Sequence, residues 1–154
     1  ARGCEHTIWE AGIGGRLDPV KLIGARNVAL TALDFEHTAL LGDTLELIAR
    51  EKIAAAPEGA RLAVSEGAAP PGSEVREQIE RYCAAHNIEA VFRAPLAGGA
   101  PLAGGFQNQN AALALELATA LAPLSPEQIQ RGFASARWPG RSRRAASSAP
   151  ATPT

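Results

Sequence analysis

The sequence of 154 residues has no methionine, one tyrosine and two cysteines, Cys4 and Cys83. Two cysteines without metal-type spacing argue against a disulfide scaffold or a cysteine zinc site. They read as plain thiols in a reducing, cytoplasmic setting. Aromatic residues make up only 5% of the chain, so its core must be built from Leu, Ile, Val and Ala. No apolar run approaches the roughly 20 residues that span a bilayer, and no charged-then-apolar stretch of signal-peptide type opens the sequence. Fifteen Lys and Arg stand against sixteen Asp and Glu, a net charge of −1. That balance gives no electrostatic case for nucleic acid or an anionic membrane surface as partner. A start at Ala1 with no Met anywhere leads us to expect a segment of a longer protein. The last stretch, 141–154 (RSRRAASSAPATPT), lacks apolar periodicity and is expected to be a disordered or frame-shifted tail.

What is present alternates strand and helix signals. Hydrophobic residues at 46% and charged residues at 20% suit a soluble core and surface. Residues 6–11 (HTIWEA) read as a short strand entering the glycine-rich turn Gly12-Ile13-Gly14-Gly15, and 27–33 (NVALTAL) as a second strand. A loop with His37 covers 34–41. A helix is predicted over 44–55, capped by Asp43 or Thr44, with Leu45, Ile48, Ala49, Lys52 and Ile53 on one face. A strand over 61–65 (RLAVS), a loop over 67–72, and a helix capped by Ser73 with the stripe Val75, Ile79, Tyr82 and Cys83 come next. That helix should stop near Asn87, ahead of a strand over 88–93 (IEAVFR). The doubled APLAGG of 94–105 reads as an extended loop or weak hairpin. A helix over 110–121 follows, and a last one opens at Ser125-Pro126-Glu127-Gln128, a capping-box spacing with Pro at the first helical position. This alternation predicts an α/β domain with a mainly parallel sheet flanked by helices, and such sheets bind ligands at the carboxyl ends of their strands.

Several residues could carry chemistry there. Glu10 ends a predicted strand before glycines that let backbone amides approach a ligand. It could hold Mg²⁺ beside a phosphate or simply face water. His37 is a loop imidazole, either a surface group or a ligand. Lys52 interrupts an apolar stripe: its stem could snorkel, or a desolvated amine could react with CO₂ and become a carbamate that ligates metal. Asn110 could cap its helix or bond a nucleotide base. Arg141, after the rigid turn Trp138-Pro139-Gly140, has the chemistry of a phosphate contact.

Taken together, the motifs resemble those of folylpolyglutamate and dihydrofolate synthases, ligases of the Mur ligase superfamily. Trp9-Glu10-Ala11-Gly12-Ile13-Gly14-Gly15-Arg16-Leu17-Asp18 is similar to their E-x-G-x-G-G-R-x-D segment, and His37-Thr38-Ala39-Leu40-Leu41-Gly42-Asp43-Thr44 to H-T-x-x-L-G-x-T. Ile48-Ala49-Arg50-Glu51-Lys52 resembles I-A-x-E-K, Gln107-Asn108-Gln109-Asn110-Ala111-Ala112 resembles Q-x-x-N-A-A, and Trp138-Pro139-Gly140-Arg141 resembles W-P-G-R. The resemblance implies that residues 1–141 are part of a Mur-ligase-type central ATP-binding domain.

It also implies ATP-dependent joining of L-glutamate to dihydropteroate or folate through an acyl phosphate, with Mg²⁺ as cofactor. Glu10 would hold a first Mg²⁺, and His37 with a carbamate on Lys52 a second. Leu17, Asp18 and Pro19 would line the dihydropteroate site, Pro19 departing from the family's usual Ala. Asn110 and Arg141 would contact ATP. A monomer is expected. The family's G-x-x-G-K-[ST] phosphate loop and its D-G-A-H-N segment do not occur in these residues, so the isolated chain is expected to be inactive. Two other readings remain open at this point: a muramyl-peptide ligase of the same superfamily, and a non-catalytic remnant of a folate ligase.

Overall fold

The computed structural model describes residues 3–98, 102 and 104–137. Three parallel strands, β1 (Asn27–Leu30), β2 (Arg61–Ser65) and β3 (Glu89–Arg93), lie side by side in the order β1-β2-β3. Helices α1 (Thr38–Leu41) and α2 (Leu45–Ile53) connect β1 to β2, and α3 (Glu74–Ala85) connects β2 to β3. Helices α4 (Gln107–Leu121) and α5 (Pro126–Ser135) follow. This is the parallel α/β sheet with flanking helices that the alternation predicts.

The alternation of side chains along β2 sets the two layers. Leu62 and Val64 join Ile53, Val75, Ile79 and Cys83 in the main core, beneath α2 and α3. On the opposite face Arg61 and Ser65 bond to Glu116 and Gln109 of α4. As the middle strand, β2 is covered on both faces, and 62–65 are all buried. The paucity of aromatics gives the expected aliphatic interior: Ile48, Ile53, Leu62 and Ile79 are fully buried, each contributing about 1.5–3 kcal/mol.

The predicted caps form. Thr44 accepts a hydrogen bond from the Leu47 amide and Ser73 from the Arg76 amide. Ser125 and Gln128 make the reciprocal capping box, with Pro126 in the first turn.

Three elements differ from expectation. Residues 6–11 form no strand: they are irregular and mostly exposed, because no strand among the described residues pairs with them, and an unpaired extended segment gains no ladder. The segment around His37 is not wholly loop, since Thr38–Leu41 closes one helical turn behind it. Helix α4 begins at Gln107 rather than Asn110. Phe106 precedes it without a side-chain cap, and the Gln109 carboxamide accepts a 2.7 Å bond from the buried Ser65 hydroxyl, so tertiary contact fixes that end. Arg141 and the tail over 142–154 lie outside the described residues. Among those described, no helix is long and apolar enough to cross a membrane.

Candidate active site

The glycine turn after Glu10 docks on the segments that carry His37 and Lys52. Gly15 is buried, and a Cβ built on it would stand 2.4 Å from the Lys52 carbonyl oxygen and 2.8 Å from the Ala55 Cβ. Gly14, at φ +67°, rests against Leu41, the last residue of α1. Only a residue without a side chain permits this approach.

Arg16 then fastens the turn to α2. Its amide donates to the Glu51 carbonyl at 2.9 Å, and its Nε donates to the Glu51 carboxylate oxygens at 2.8 and 3.0 Å. Two of the motifs found in sequence, 35 residues apart at this pair, are therefore bonded to each other.

Asp18 closes the turn from within. Its Oδ2 accepts from the Gly12 amide at 2.9 Å and the Ile13 amide at 3.4 Å, and its Oδ1 accepts from Val20 at 2.8 Å to cap the 3-10 turn Pro19–Ile23. The Val20 bond, with smaller help from Gly12 and Ile13, outweighs burial and holds this carboxyl below its ordinary value. The sequence reading gave Asp18 a substrate-lining place and missed this structural one. An Asp a few residues beyond a glycine turn and just before Pro is the signal that could have found it.

The other expected site residues lie as follows. Glu10 is exposed on an irregular segment. His37 is exposed at the start of α1 with left-handed backbone, φ +52°. Lys52 is half-buried in the last turn of α2. Leu17 and Pro19 face solvent on either side of Asp18. Asn110 is half-buried inside α4 and donates through Nδ2 to the Gln107 Oε1 at 3.2 Å. The fold thus gathers the segments bearing Glu10, His37, Leu17, Asp18, Pro19 and Lys52 around one turn, while Asn110 sits on α4, beyond the sheet. Among the described residues, no three His, Cys, Asp or Glu side chains stand together as a metal site.

The Gly15 contact makes a prediction. Gly15→Ala should cost about 1–3 kcal/mol of stability by forcing the turn off α2. Gly12→Ala should cost much less, because its Cβ would meet only the Asp18 Oδ2, at 3.5 Å. Urea-unfolding midpoints of the two variants check this; equal losses would overturn it.

Comparison with known proteins gives the relatives. A probable bifunctional folylpolyglutamate synthase/dihydropteroate synthase of Haloferax volcanii is 32% identical over 164 residues, covering 90% of this chain and 20% of that protein. The dihydrofolate synthase/folylpolyglutamate synthase of Bacillus subtilis is 28% identical, covering 89% of this chain and 38% of its own length. A Saccharomyces cerevisiae folylpolyglutamate synthase is 30% identical, over 90% of this chain and 28% of its own. No family profile matches the chain.

Among solved structures, the apo form of L. casei FPGS superimposes with a TM-score of 0.74 at 24% identity, over 86% of this chain and 39% of that one, a likeness of fold. E. coli FolC in complex with DHPP and ADP superimposes with a TM-score of 0.70 at 26% identity, over 85% and 34%. The chain therefore spans about a fifth to two fifths of the length of these relatives. Over that span it is similar, in sequence and in fold, to folylpolyglutamate synthases and dihydrofolate synthases.

Proposed function

We propose that this segment serves an ATP-dependent ligase that joins L-glutamate to dihydropteroate or to folylpolyglutamate. The observation that carries this reading is the docking of the Gly12–Arg16 turn on the end of α2, which joins two of the family's motifs through Gly15, Arg16 and Glu51. The solved complexes of relatives with AMPPCP, ADP, folate and DHPP support ATP and a folate as substrates. In the reaction, ATP transfers its γ-phosphoryl group to the pterin carboxylate and leaves as ADP. The glutamate amine attacks the acyl carbon, a proton is lost, and the C–O bond to phosphate breaks. Charge on the transferring phosphoryl group is what Mg²⁺ would neutralise.

Within that reaction Leu17, Asp18 and Pro19 are proposed to line the pterin site. The Asp18 bonds to Gly12, Ile13 and Val20 would keep the lining rigid. Asn110 and Arg141 are proposed to contact ATP. Glu10, His37 and a carbamate formed from the Lys52 amine and CO₂ are the proposed metal ligands. Their oxygen atoms suit Mg²⁺ better than the imidazole does. The described residues do not by themselves form a closed metal site. A cytoplasmic, monomeric protein is part of the same proposal.

The test is ADP release by a protein carrying this segment together with a phosphate loop and a glutamate-binding segment. Release should require both a dihydropteroate or folate and L-glutamate, and a UDP-linked muramyl acid should not replace the pterin. The 154 residues alone should release none. Turnover with the muramyl acid and not with the pterin would sink the reading.

A further inference from the structure

A second site is written in charge rather than in motif. The last turns of α2 and α3 and the segment after the glycine turn line an open groove of about 470 Å³. Arg16, Lys21, Arg50 and Arg81 line it, and no Asp or Glu does. Four of the fifteen Lys and Arg thus meet in one depression of a chain whose net charge is −1. Arg16 is bound to Glu51 and Arg81 lies 3.7 Å from Glu77, whereas neither Lys21 nor Arg50 has an ion-pair partner among the described residues.

One wall is flat. Tyr82 and His86 stack with centroids 4.0 Å apart, and the His86 Nδ1 donates to the Tyr82 carbonyl at 2.8 Å, which fixes the ring. Across the helices the Gln78 carboxamide donates to the Glu46 carbonyl at 2.8 Å, so α2 and α3 are tied at a set separation. Like charges gathered on a rigid frame repel one another until an anion neutralises them, and a cleft lined by one sign focuses its field on such a ligand.

We propose that this groove binds a small multivalent anion, one carrying two or more phosphate or carboxylate groups. The volume suits a metabolite-sized ligand. Arg50 and Arg81 hold it from the two helices, and Lys21 contributes from the third side. The groove contains none of the residues assigned to the pterin, ATP or metal, so the inference stands apart from the ligase reading.

Calorimetric titration of the 154-residue chain tests it, with tripolyphosphate and tricarballylate as probes. At low salt at least one probe should bind, and saturation should raise the melting temperature by several degrees, roughly. The double variant Arg50→Gln/Arg81→Gln should weaken binding by about tenfold or more, as expected for lost charge-assisted bonds. Arg137→Gln, outside the groove, should leave it unchanged. If the double variant loses its cooperative melt, Lys21→Gln with Arg50→Gln takes its place. Binding of tripolyphosphate alone identifies phosphate as the preferred group, and binding of tricarballylate alone identifies carboxylate. Absence of binding by a chain that melts cooperatively, or equal weakening by Arg137→Gln, overturns the proposal.

Discussion

Lys52→Ala, in a full-length protein carrying this segment, is expected to lower turnover by about a thousandfold or more, which is about 4 kcal/mol of transition-state stabilisation. The reason is positional. Lys52 lies in the last turn of α2, whose backbone is clamped by Gly15 on one side and whose neighbour Glu51 is held by Arg16. A lysine on so fixed a stretch would lose little entropy if a carbamate at its end were held at a reaction centre. As a carbamate it would present two oxygens where an amine presents none.

Three readouts separate that role from a structural one. Lys52→Ala should melt at close to the wild-type temperature, because the side chain is only half-buried. Short carboxylic acids added to the variant should restore part of the turnover by replacing the missing carboxylate. Intact-protein mass measured in bicarbonate should show an added CO₂ on wild type and not on the variant. Unchanged turnover in the alanine variant would remove Lys52 from the mechanism.

Glu116→Ala is expected to give the largest loss of stability, about 2–3 kcal/mol. Glu116 lies on α4 against the sheet with its side chain 8% exposed. Its Oε1 accepts from the Arg61 Nε and Nη2 at 2.9 and 2.7 Å, and its Oε2 from the Arg93 Nε at 2.6 Å. Removing one partner of a buried pair typically costs about 3–5 kcal/mol; here Arg93 would lose its partner, while Arg61 would keep Glu89. Arg61 and Arg93 are 30% and 44% exposed and can rehydrate, which lowers the expected figure.

The same triad predicts a pH dependence. Burial pushes the Glu116 carboxyl up, but the Arg61 and Arg93 bonds together outweigh it and leave the group below its ordinary value near 4.5. A carboxyl depressed in the folded state adds stability that is present above the unfolded value and is lost as pH falls through the folded one. Wild type should therefore lose stability below about pH 4.5, and Glu116→Gln should lose less over that window. Urea midpoints at neutral pH and at about pH 3 measure both. A variant as acid-sensitive as wild type would show that other carboxyls set the acid limb.

How much could be read in advance depended on the range of the interaction. The caps at Thr44, Ser73 and Ser125 were legible because each joins a side chain to an amide three residues on. The limits of β2 were legible because RLAVS is bounded by a turn and a Pro-Gly loop. The stripe Val75, Ile79, Tyr82 and Cys83 meets the core as its spacing required. HTIWEA failed as a strand because strand formation depends on a distant partner, and its composition carries no information about one. Asn110 failed as a helix start because Gln109 is drawn to Ser65, 44 residues earlier.

The sequence by itself pointed to the family, through five motifs in order, and to the parallel α/β character, through the alternation of strand and helix signals. It also singled out Glu10, His37 and Lys52 as candidate metal ligands. The tertiary structure decided that the glycine turn seats on the end of α2, that Asp18 spends its oxygens on backbone amides, and that Glu116 gathers Arg61 and Arg93. It also decided that four cations share one groove. The division is physical. Motifs, periodicity and caps are local or ordered along the chain, whereas charge pairing and close backbone approach join residues tens of positions apart, and only packing brings those together.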